Sequence, residues 1–213
     1  MSRRVKVAIA LGLLAVGAAI ILRLWRPFPS DKTPEGAYMR IARSVTTGRI
    51  EEAFPYLETE AQWASYTVRD MRRAARDTVL AAYPEPQRSE LSAAYRVEAE
   101  AKDGSDVFAI VADRRGWRSR LRRDLSGAVA LEVEGERATV VTARGTRYPF
   151  RRRDNGIWGL TIFTADLLAE AERASRDLAM VKAAAEDYAA DRSRNPPAPR
   201  APGAGTSDAS QPP

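Results

Sequence analysis

The clearest pattern of apolar and polar positions lies between residues 127 and 163, where it predicts a four-stranded antiparallel meander. Val129, Leu131 and Val133 alternate with small or acidic residues, which is the period of two expected of a half-buried strand. The three runs that follow, each rich in β-branched or aromatic residues, are 137–142, 146–153 and 157–162. Glycine-containing turns separate the four runs, and the Asp-Asn-Gly turn after the third run is the strongest hairpin signal in the chain.

The last two predicted strands contribute a set of aromatic side chains. Strand alternation places Tyr148, Phe150 and Trp158 on one face of the sheet, where they are candidates to line a pocket. Pro149 has no N–H to donate to a ladder. The third strand is therefore either an edge strand or oriented so that the proline nitrogen faces outward.

Helical periodicity precedes the sheet. The segments predicted as helices are 33–48, 50–57, 60–83, 87–101, 106–114 and 117–125. Thr33 followed by Pro34 is a helix start, because a threonine side chain caps the first turn and proline fits the first helical position. Ser105 is predicted to cap the helix at 106–114 in the same way.

A long helix is predicted after the sheet, from Thr164 to Asp191. Its apolar positions recur at alternating spacings of four and three, and they are Leu167, Ala171, Ala174, Leu178, Val181, Ala185 and Tyr188. Two interpretations follow: the helix packs on its own domain, or residues 167–188 form a dimerising coiled coil. The proline-rich segment 193–213 is predicted to be a disordered tail.

Residues 1–26 are predicted to be an N-terminal signal anchor. Three basic residues precede the uncharged apolar run 7–22, and the run with its apolar neighbours, 5–24, reaches the short end of what a membrane span needs. The alternative is a signal peptide that is cleaved after export.

This leader sets the predicted domain order and localisation. A linker at 27–32 joins it to an α+β globular domain at 33–192. The anchor interpretation predicts a single-pass protein of the inner membrane with an extracytoplasmic, periplasmic domain, and the cleaved-signal alternative predicts a secreted protein.

Composition excludes several kinds of chemistry. The chain of 213 residues contains no cysteine and no histidine, which rules out disulfides, thiolate catalysis and any triad that needs a histidine base. No catalytic residue, cofactor site or metal site is predicted, and the chain is not expected to be an enzyme.

Charge is separated along the chain, although the net charge is only +6. Residues 114–153 contain twelve arginines against four acids, whereas residues 51–113 contain thirteen acids against seven bases. Arg144, Arg147, Arg151 and Arg153, which we call the arginine face, are the candidates for binding an anionic partner, because guanidinium groups suit carboxylates and phosphates. The alternative is that they pair with the protein's own acids.

Two stretches resemble a known family. The segment TPEGAYMRIARSVTTGRIEEAFPYL at 33–57 is similar to the opening helices of NTF2-like (SnoaL-like) domains, and TRYPFRRRDNGIWGLT at 146–161 looks like their last two strands. The resemblance implies a helical layer packed into the concave face of a bent antiparallel sheet, a cone, as in bacterial envelope proteins with a single anchor. Enzymatic relatives use Asp and His in the cone, and without histidine no catalytic residue is carried over.

Three functions follow from these observations. The first is a membrane-tethered binding or scaffold domain that docks an unknown protein or another anionic surface through the arginine face. The second is an enzyme that uses carboxylates in the cone, with Asp113, Asp124 and Asp154 as the nearest acids in sequence. The third, and least favoured, is a nucleic-acid-binding module in which the arginines contact phosphates and the aromatic side chains stack on bases.

Overall fold

The computed structural model describes residues 28–194, and it contains six α-helices, one 3₁₀ helix and four strands in this part of the chain. The helices are α1 (Pro34–Thr46), the 3₁₀ helix (Ile50–Tyr56), α2 (Thr59–Ala82), α3 (Gln87–Ala99), α4 (Gly104–Arg114), α5 (Trp117–Asp124) and α6 (Thr164–Arg194). The strands are β1 (Ala128–Glu134), β2 (Arg137–Thr142), β3 (Arg147–Arg152) and β4 (Trp158–Leu160).

The two ends of the chain lie outside the described residues. The predicted anchor at 1–26 and nearly all of the predicted tail at 193–213 fall there; of the tail, only 193 and 194 are described, and they belong to α6. Between residues 28 and 194, no helix combines the length and the apolar character that crossing a membrane requires.

Local capping explains two of the helix starts. Thr33 caps α1 as predicted, since its hydroxyl oxygen accepts a hydrogen bond from the N–H of Gly36 at 3.1 Å. The predicted cap of α4 is wrong. Asp103 holds that position, and its carboxylate accepts from the N–H groups of Ser105 and Asp106. A carboxylate at the N-terminus of a helix also interacts favourably with the helix dipole.

The sheet is an antiparallel meander in the order β1-β2-β3-β4, so the α+β class and the four-stranded meander are confirmed. Its inner face packs against the helices and buries side chains such as Val140, Phe150 and Leu160. Because β3 lies between β2 and β4, the edge-strand interpretation of Pro149 is wrong. The carbonyl of Pro149 accepts a hydrogen bond from Thr161 on the β4 side. Because β4 pairs only with residues 150–152, the missing N–H of Pro149 interrupts no hydrogen bond between these two strands.

Strand β1 differs from the prediction in its burial. Val129, Leu131 and Val133 were expected on a half-buried face, but they are 65%, 45% and 56% exposed. The strand lies at the edge of the sheet and pairs only with β2, and helix α1 contacts it without burying these side chains. The alternation along this segment correctly predicted a strand, but it did not predict whether another part of the chain would bury the apolar side chains.

Helix α6 packs along α2 in the same chain. The apolar positions predicted for this helix turn inward: Leu167 and Ala174 are fully buried, and Leu178 and Val181 join a cluster with Val79 of α2. Packing on its own domain is therefore what the structure shows for this helix. A dimer through residues 167–188 stays a prediction.

The free edge of β4 is covered by the chain itself. The N–H of Glu58 donates to the carbonyl of Leu160 at 3.1 Å, and Leu57 forms a parallel bridge with the same residue. The segment before α1 also reaches this strand, because the indole N–H of Trp158 donates to the carbonyl of Lys32 at 3.2 Å. Part of the predicted linker therefore packs on the domain.

Candidate site: the arginine face of the sheet

The outer face of the sheet is turned away from the helices. On β3, Arg147 and Arg151 point outward, because their neighbours Tyr148 and Phe150 are buried on the inner face. Arg144 lies in the turn before β3, and Arg153 follows the strand. The structure therefore places the four predicted arginines along one hairpin and its ends, although their surroundings differ.

Arg147 is paired with β1. Its guanidinium donates two hydrogen bonds to the two carboxylate oxygens of Glu132, one of them at 3.1 Å. These bonds raise the pKa of Arg147 above its ordinary value. Both side chains stay more than half exposed, at 57% and 56%, so the pair is bidentate but solvated. An exposed pair of this kind contributes little to stability and leaves other donors free.

Arg151 reaches the start of α2. Its guanidinium donates to Glu58 at 3.3 Å and lies 3.8 Å from the carboxylate of Glu60. The hydroxyl of Thr164 donates to the other oxygen of Glu58 at 2.8 Å. The side chain of Glu58 is only 10% exposed, whereas that of Arg151 is 52% exposed. The carboxylate is thus enclosed, and the arginine keeps a solvent-facing side.

Arg153 is a structural residue. It donates to the carbonyl of Pro55 at 2.8 Å, to the hydroxyl of Thr59 at 3.2 Å and to the amide oxygen of Gln62 at 3.3 Å. Burial lowers the pKa of its guanidinium. These contacts fasten the end of β3 to the 3₁₀ helix and α2, which leaves Arg153 little capacity to bind a partner. Arg144 is exposed and donates to the backbone carbonyl of Arg123.

A further arginine on this face was missed by the sequence analysis. Arg137 on β2 lies directly opposite Arg151, and it is exposed. Within residues 28–194, no carboxylate oxygen lies within ion-pair distance of its guanidinium, whereas Arg151 holds Glu58. Two like charges in opposite positions of an antiparallel pair disfavour each other, and an anion between them removes that cost. The signal was available, since the Gly145 turn between β2 and β3 sets the register that brings the two residues together.

The aromatic candidates belong to the core. Tyr148, Phe150 and Trp158 are 3%, 2% and 5% exposed, and the ring of Tyr148 lies 5.3 Å from that of Tyr38. The hydroxyl of Tyr148 is buried without a hydrogen-bond partner among the described residues. Burial, with smaller contributions from Tyr38 and Asp124, raises its pKa to about 12. These rings face away from the arginines and are not positioned to stack on a ligand that the arginines hold.

The acids that the sequence analysis considered do not converge. Asp113 pairs with Arg118 at 2.7 Å, Asp124 with Arg123 at 3.3 Å, and Asp154 lies exposed in its turn. Over residues 28–194, no group of three or more acidic side chains is arranged to hold a metal ion.

The buried carboxylates are engaged with arginines. Glu98 and Glu170 are 6% and 3% exposed. Arg114 lies between them, at 2.5 Å from the first and 3.2 Å from the second. Glu98 of the acidic segment thus pairs with an arginine of the basic segment, and Glu170 pairs with the same arginine, which favours a structural role for these two acids.

Comparison with known proteins returned no relative of this chain: no protein-family model matches it, and neither do curated proteins or solved structures.

Proposed function

We propose that this chain is a membrane-tethered, extracytoplasmic binding or scaffold protein without catalytic activity. Residues 1–26 anchor it in the inner membrane, and the domain that follows is of the NTF2-like kind that its sequence resembles. The exposed members of the arginine face, Arg144, Arg147 and Arg151, together with Arg137, dock an anionic surface of a partner. The helical layer on one face of an antiparallel sheet supports this architecture.

The observation that carries the proposal is the exposed outer face of β2 and β3. Arg147 and Arg151 are 57% and 52% exposed, and Arg137 beside them is exposed without a carboxylate of the described chain. A guanidinium has five N–H donors. Glu132 takes two donors of Arg147, and Glu58 takes one of Arg151. Donors therefore remain on the solvent side for an anionic group.

The same geometry sets the character of the binding. The chain's own carboxylates compete with a partner for Arg147 and Arg151, so binding is moderate in affinity and sensitive to salt. The partner's anionic groups would lie across the two strands, between Arg137 and Arg151, where a negative charge relieves repulsion.

The test uses the full chain in detergent micelles and a fluorescent polyglutamate peptide as the anionic probe. A triple variant, Arg137→Gln with Arg147→Gln and Arg151→Gln, is compared with a matched control on α6, Arg176→Gln with Arg192→Gln and Arg194→Gln. Both variants remove three positive charges, and only the first removes them from the sheet. We expect the first to lose binding by about tenfold or more and the second to retain it. Equal losses would mean that only net charge matters and would contradict the proposal.

A second measurement addresses the tether. Protease added to intact spheroplasts is expected to digest the domain while the chain stays in the membrane fraction. Protection of the domain, or recovery of the whole chain in the cytosol, would contradict the extracytoplasmic placement. Photo-crosslinking from Arg137 and Arg144 positions in intact membranes then identifies the partner.

A further inference from the structure

The two edges of the sheet differ. Leu57, Glu58 and Lys32 cover the edge at β4. Strand β1, from Ala128 to Glu134, pairs only with β2, and six of its seven residues are exposed. An open strand of this length presents unpaired N–H and C=O groups, and proteins usually cover, shorten or charge such an edge.

The backbone direction along β1 follows from the hairpin. A two-residue loop, Gly135-Glu136, is closed by Glu134 opposite Arg137. The closing pair of such a loop is hydrogen-bonded, and hydrogen-bonded and non-hydrogen-bonded pairs then alternate along the strands. Leu131 and Val133 therefore direct their N–H and C=O groups away from β2, toward the open edge. Their exposed apolar side chains stand beside unpaired backbone groups.

We propose that this edge binds a second copy of the chain, so that β1 and the partner's β1 form an antiparallel pair around a two-fold axis at Leu131. The segment Val129-Ala130-Leu131-Glu132-Val133 has apolar residues at its centre and at both ends. With the axis at Leu131, that residue lies opposite its own copy. A register shift in β1 between Ala128 and Ala130 makes the strand irregular at Val129, so the copy of Val133 lies beside this irregular end of the strand. The exposed apolar side chains thus meet each other.

The positions of the acidic residues in β1 favour the pairing with the two-fold axis at Leu131. With the axis at Leu131, Glu132 lies opposite the copy of Ala130. Glu134 lies near the irregular end of the other β1, where residues 127–130 include no acid, so no two acids face each other. Moving the axis by one residue to position 132 places Glu132 opposite its own copy, which is unfavourable. Moving it to position 130 places at the axis a residue whose N–H and C=O groups face β2 instead of the open edge.

The backbone supports the same arrangement. Leu131 is a residue whose polar groups face the open edge, so the central pair of the dimer is hydrogen-bonded in both directions. Pairing through β1 uses the single open edge of the described sheet, because the edge at β4 is covered. The assembly therefore closes as a dimer of two four-stranded sheets rather than growing into a fibre.

The test exploits the absence of cysteine from the chain. In the proposed register Ala130 and the copy of Glu132 form a non-hydrogen-bonded pair, with Cα atoms about 4.5 Å apart, within reach of a disulfide. Full-length Ala130→Cys and Glu132→Cys chains, with different tags, are expressed separately or together and then oxidised. We expect a disulfide-linked dimer when the two variants are expressed together. Either variant alone should give little of this dimer, because residue 130 of one copy and residue 130 of the other are offset along the paired strands. Linkage within one variant alone, or its absence from the mixture, would overturn the proposal.

A second arm removes the pairing. Leu131→Lys places a charge at the two-fold axis, and Leu168→Lys introduces the same charge at a leucine on α6 that is 42% exposed. In the full-length chain in detergent, we expect analytical ultracentrifugation to show dimer for the wild-type chain and the Leu168→Lys variant and monomer for Leu131→Lys. A wild-type chain that is monomeric across the concentration range, or a Leu131→Lys variant as dimeric as the wild type, would contradict the proposal. Polyglutamate binding by the arginine face is read separately, since Leu131→Lys leaves those arginines in place.

Discussion

Arg151 on β3 donates a hydrogen bond at 3.3 Å to the carboxylate of Glu58, which lies 93 positions earlier in the chain. The same carboxylate accepts from Thr164 at the start of α6. One nearly buried acid thus joins the beginning of α2, the third strand and the long C-terminal helix. It also shows how the acidic and arginine-rich segments are brought together.

Replacing Glu58 with glutamine tests this junction. The variant loses the negative charge that Arg151 and Thr164 contact in a buried position, and we expect the free energy of unfolding to fall by about 2 kcal/mol. The matched control is Glu60→Gln, because Glu60 is 52% exposed and lies 3.8 Å from the same arginine. Its effect is expected to stay below about 1 kcal/mol in urea denaturation. Similar losses for the two variants would contradict the role assigned to Glu58.

The lowered pKa of Glu170 predicts that the stability of the fold depends on pH. Burial raises the pKa of Glu170, but hydrogen bonding from Arg115 and the charges of Arg114, Arg173 and Arg115 outweigh burial and hold it below its ordinary value of 4.5. A depressed pKa in the folded state stabilises the protein above the pKa of the unfolded chain, and the contribution is lost as pH falls through the folded value. We expect the wild-type chain to lose stability below about pH 4.5 more steeply than Glu170→Gln. Parallel curves in urea titrations at pH 7, 5, 4 and 3 would refute this.

Gly159 is required by a close approach of two backbones. A Cβ at this position would lie 2.7 Å from the Cα of Glu58 and 2.8 Å from the carbonyl oxygen of Leu57. Because both neighbours are main-chain atoms, they cannot rotate away, and we expect Gly159→Ala to destabilise the fold by about 2 kcal/mol. Gly127→Ala is the control, since nothing lies within 4 Å of the added Cβ there. Thermal unfolding of the two variants should separate them clearly, and a Gly159→Ala melting temperature equal to that of the control would be inconsistent with the packing.

Two tyrosines are expected to respond in opposite directions to loss of the hydroxyl. Tyr148→Phe removes a buried hydroxyl that has no partner among the described residues, so stability should stay the same or rise by about 1 kcal/mol. Tyr38→Phe removes the hydrogen bond that its hydroxyl donates to the carbonyl of Ser126 at 2.5 Å, and stability should fall by about 1 kcal/mol. Denaturation curves at pH 7 provide the measurement, and a loss of stability in Tyr148→Phe would show that its hydroxyl has a partner.

The raised pKa of Tyr148 predicts that the folded state loses stability at alkaline pH. Burial raises the pKa of Tyr148 to about 12, so the folded state disfavours its ionised form. The stability that this raised pKa contributes is fully present below pH 10, the ordinary value for tyrosine, and is lost as pH rises toward 12. Ultraviolet absorbance of the tyrosinate should show tyrosines that titrate late in the wild-type chain, since the pKa values of Tyr38, Tyr83 and Tyr95 are also raised, and the amplitude of this late step should be smaller by one tyrosine in Tyr148→Phe.

Local signals predicted the elements well. The threonine cap at Thr33, the glycine turns and the period-two runs marked α1 and the four strands, because helix caps and tight turns depend on residues that are neighbours in the chain. The cap of α4 was assigned to Ser105 instead of Asp103, since both are good caps and only the backbone decides between them. The segment at 50–57 formed a 3₁₀ helix with Pro55 inside it.

The candidate site was predicted only in part. Four arginines were identified from a run of like charge, but the run could not indicate which of them the chain's own groups would engage. Arg153 donates a hydrogen bond to the 3₁₀ helix, whereas Arg137 on the neighbouring strand lies beside Arg151 on the exposed face. Both outcomes depend on contacts between residues distant in sequence.

The sequence alone determined the type and order of the elements, the turns between strands and the separation of charge, because each of these depends on residues within a few positions of one another. Tertiary structure alone decided that the apolar side of β1 stays exposed, that Glu58 meets Arg151 and that α6 buries its apolar positions against α2. The physical reason is that alternation reports which side chains share a face, whereas burial and ion pairing depend on what the rest of the chain places against that face.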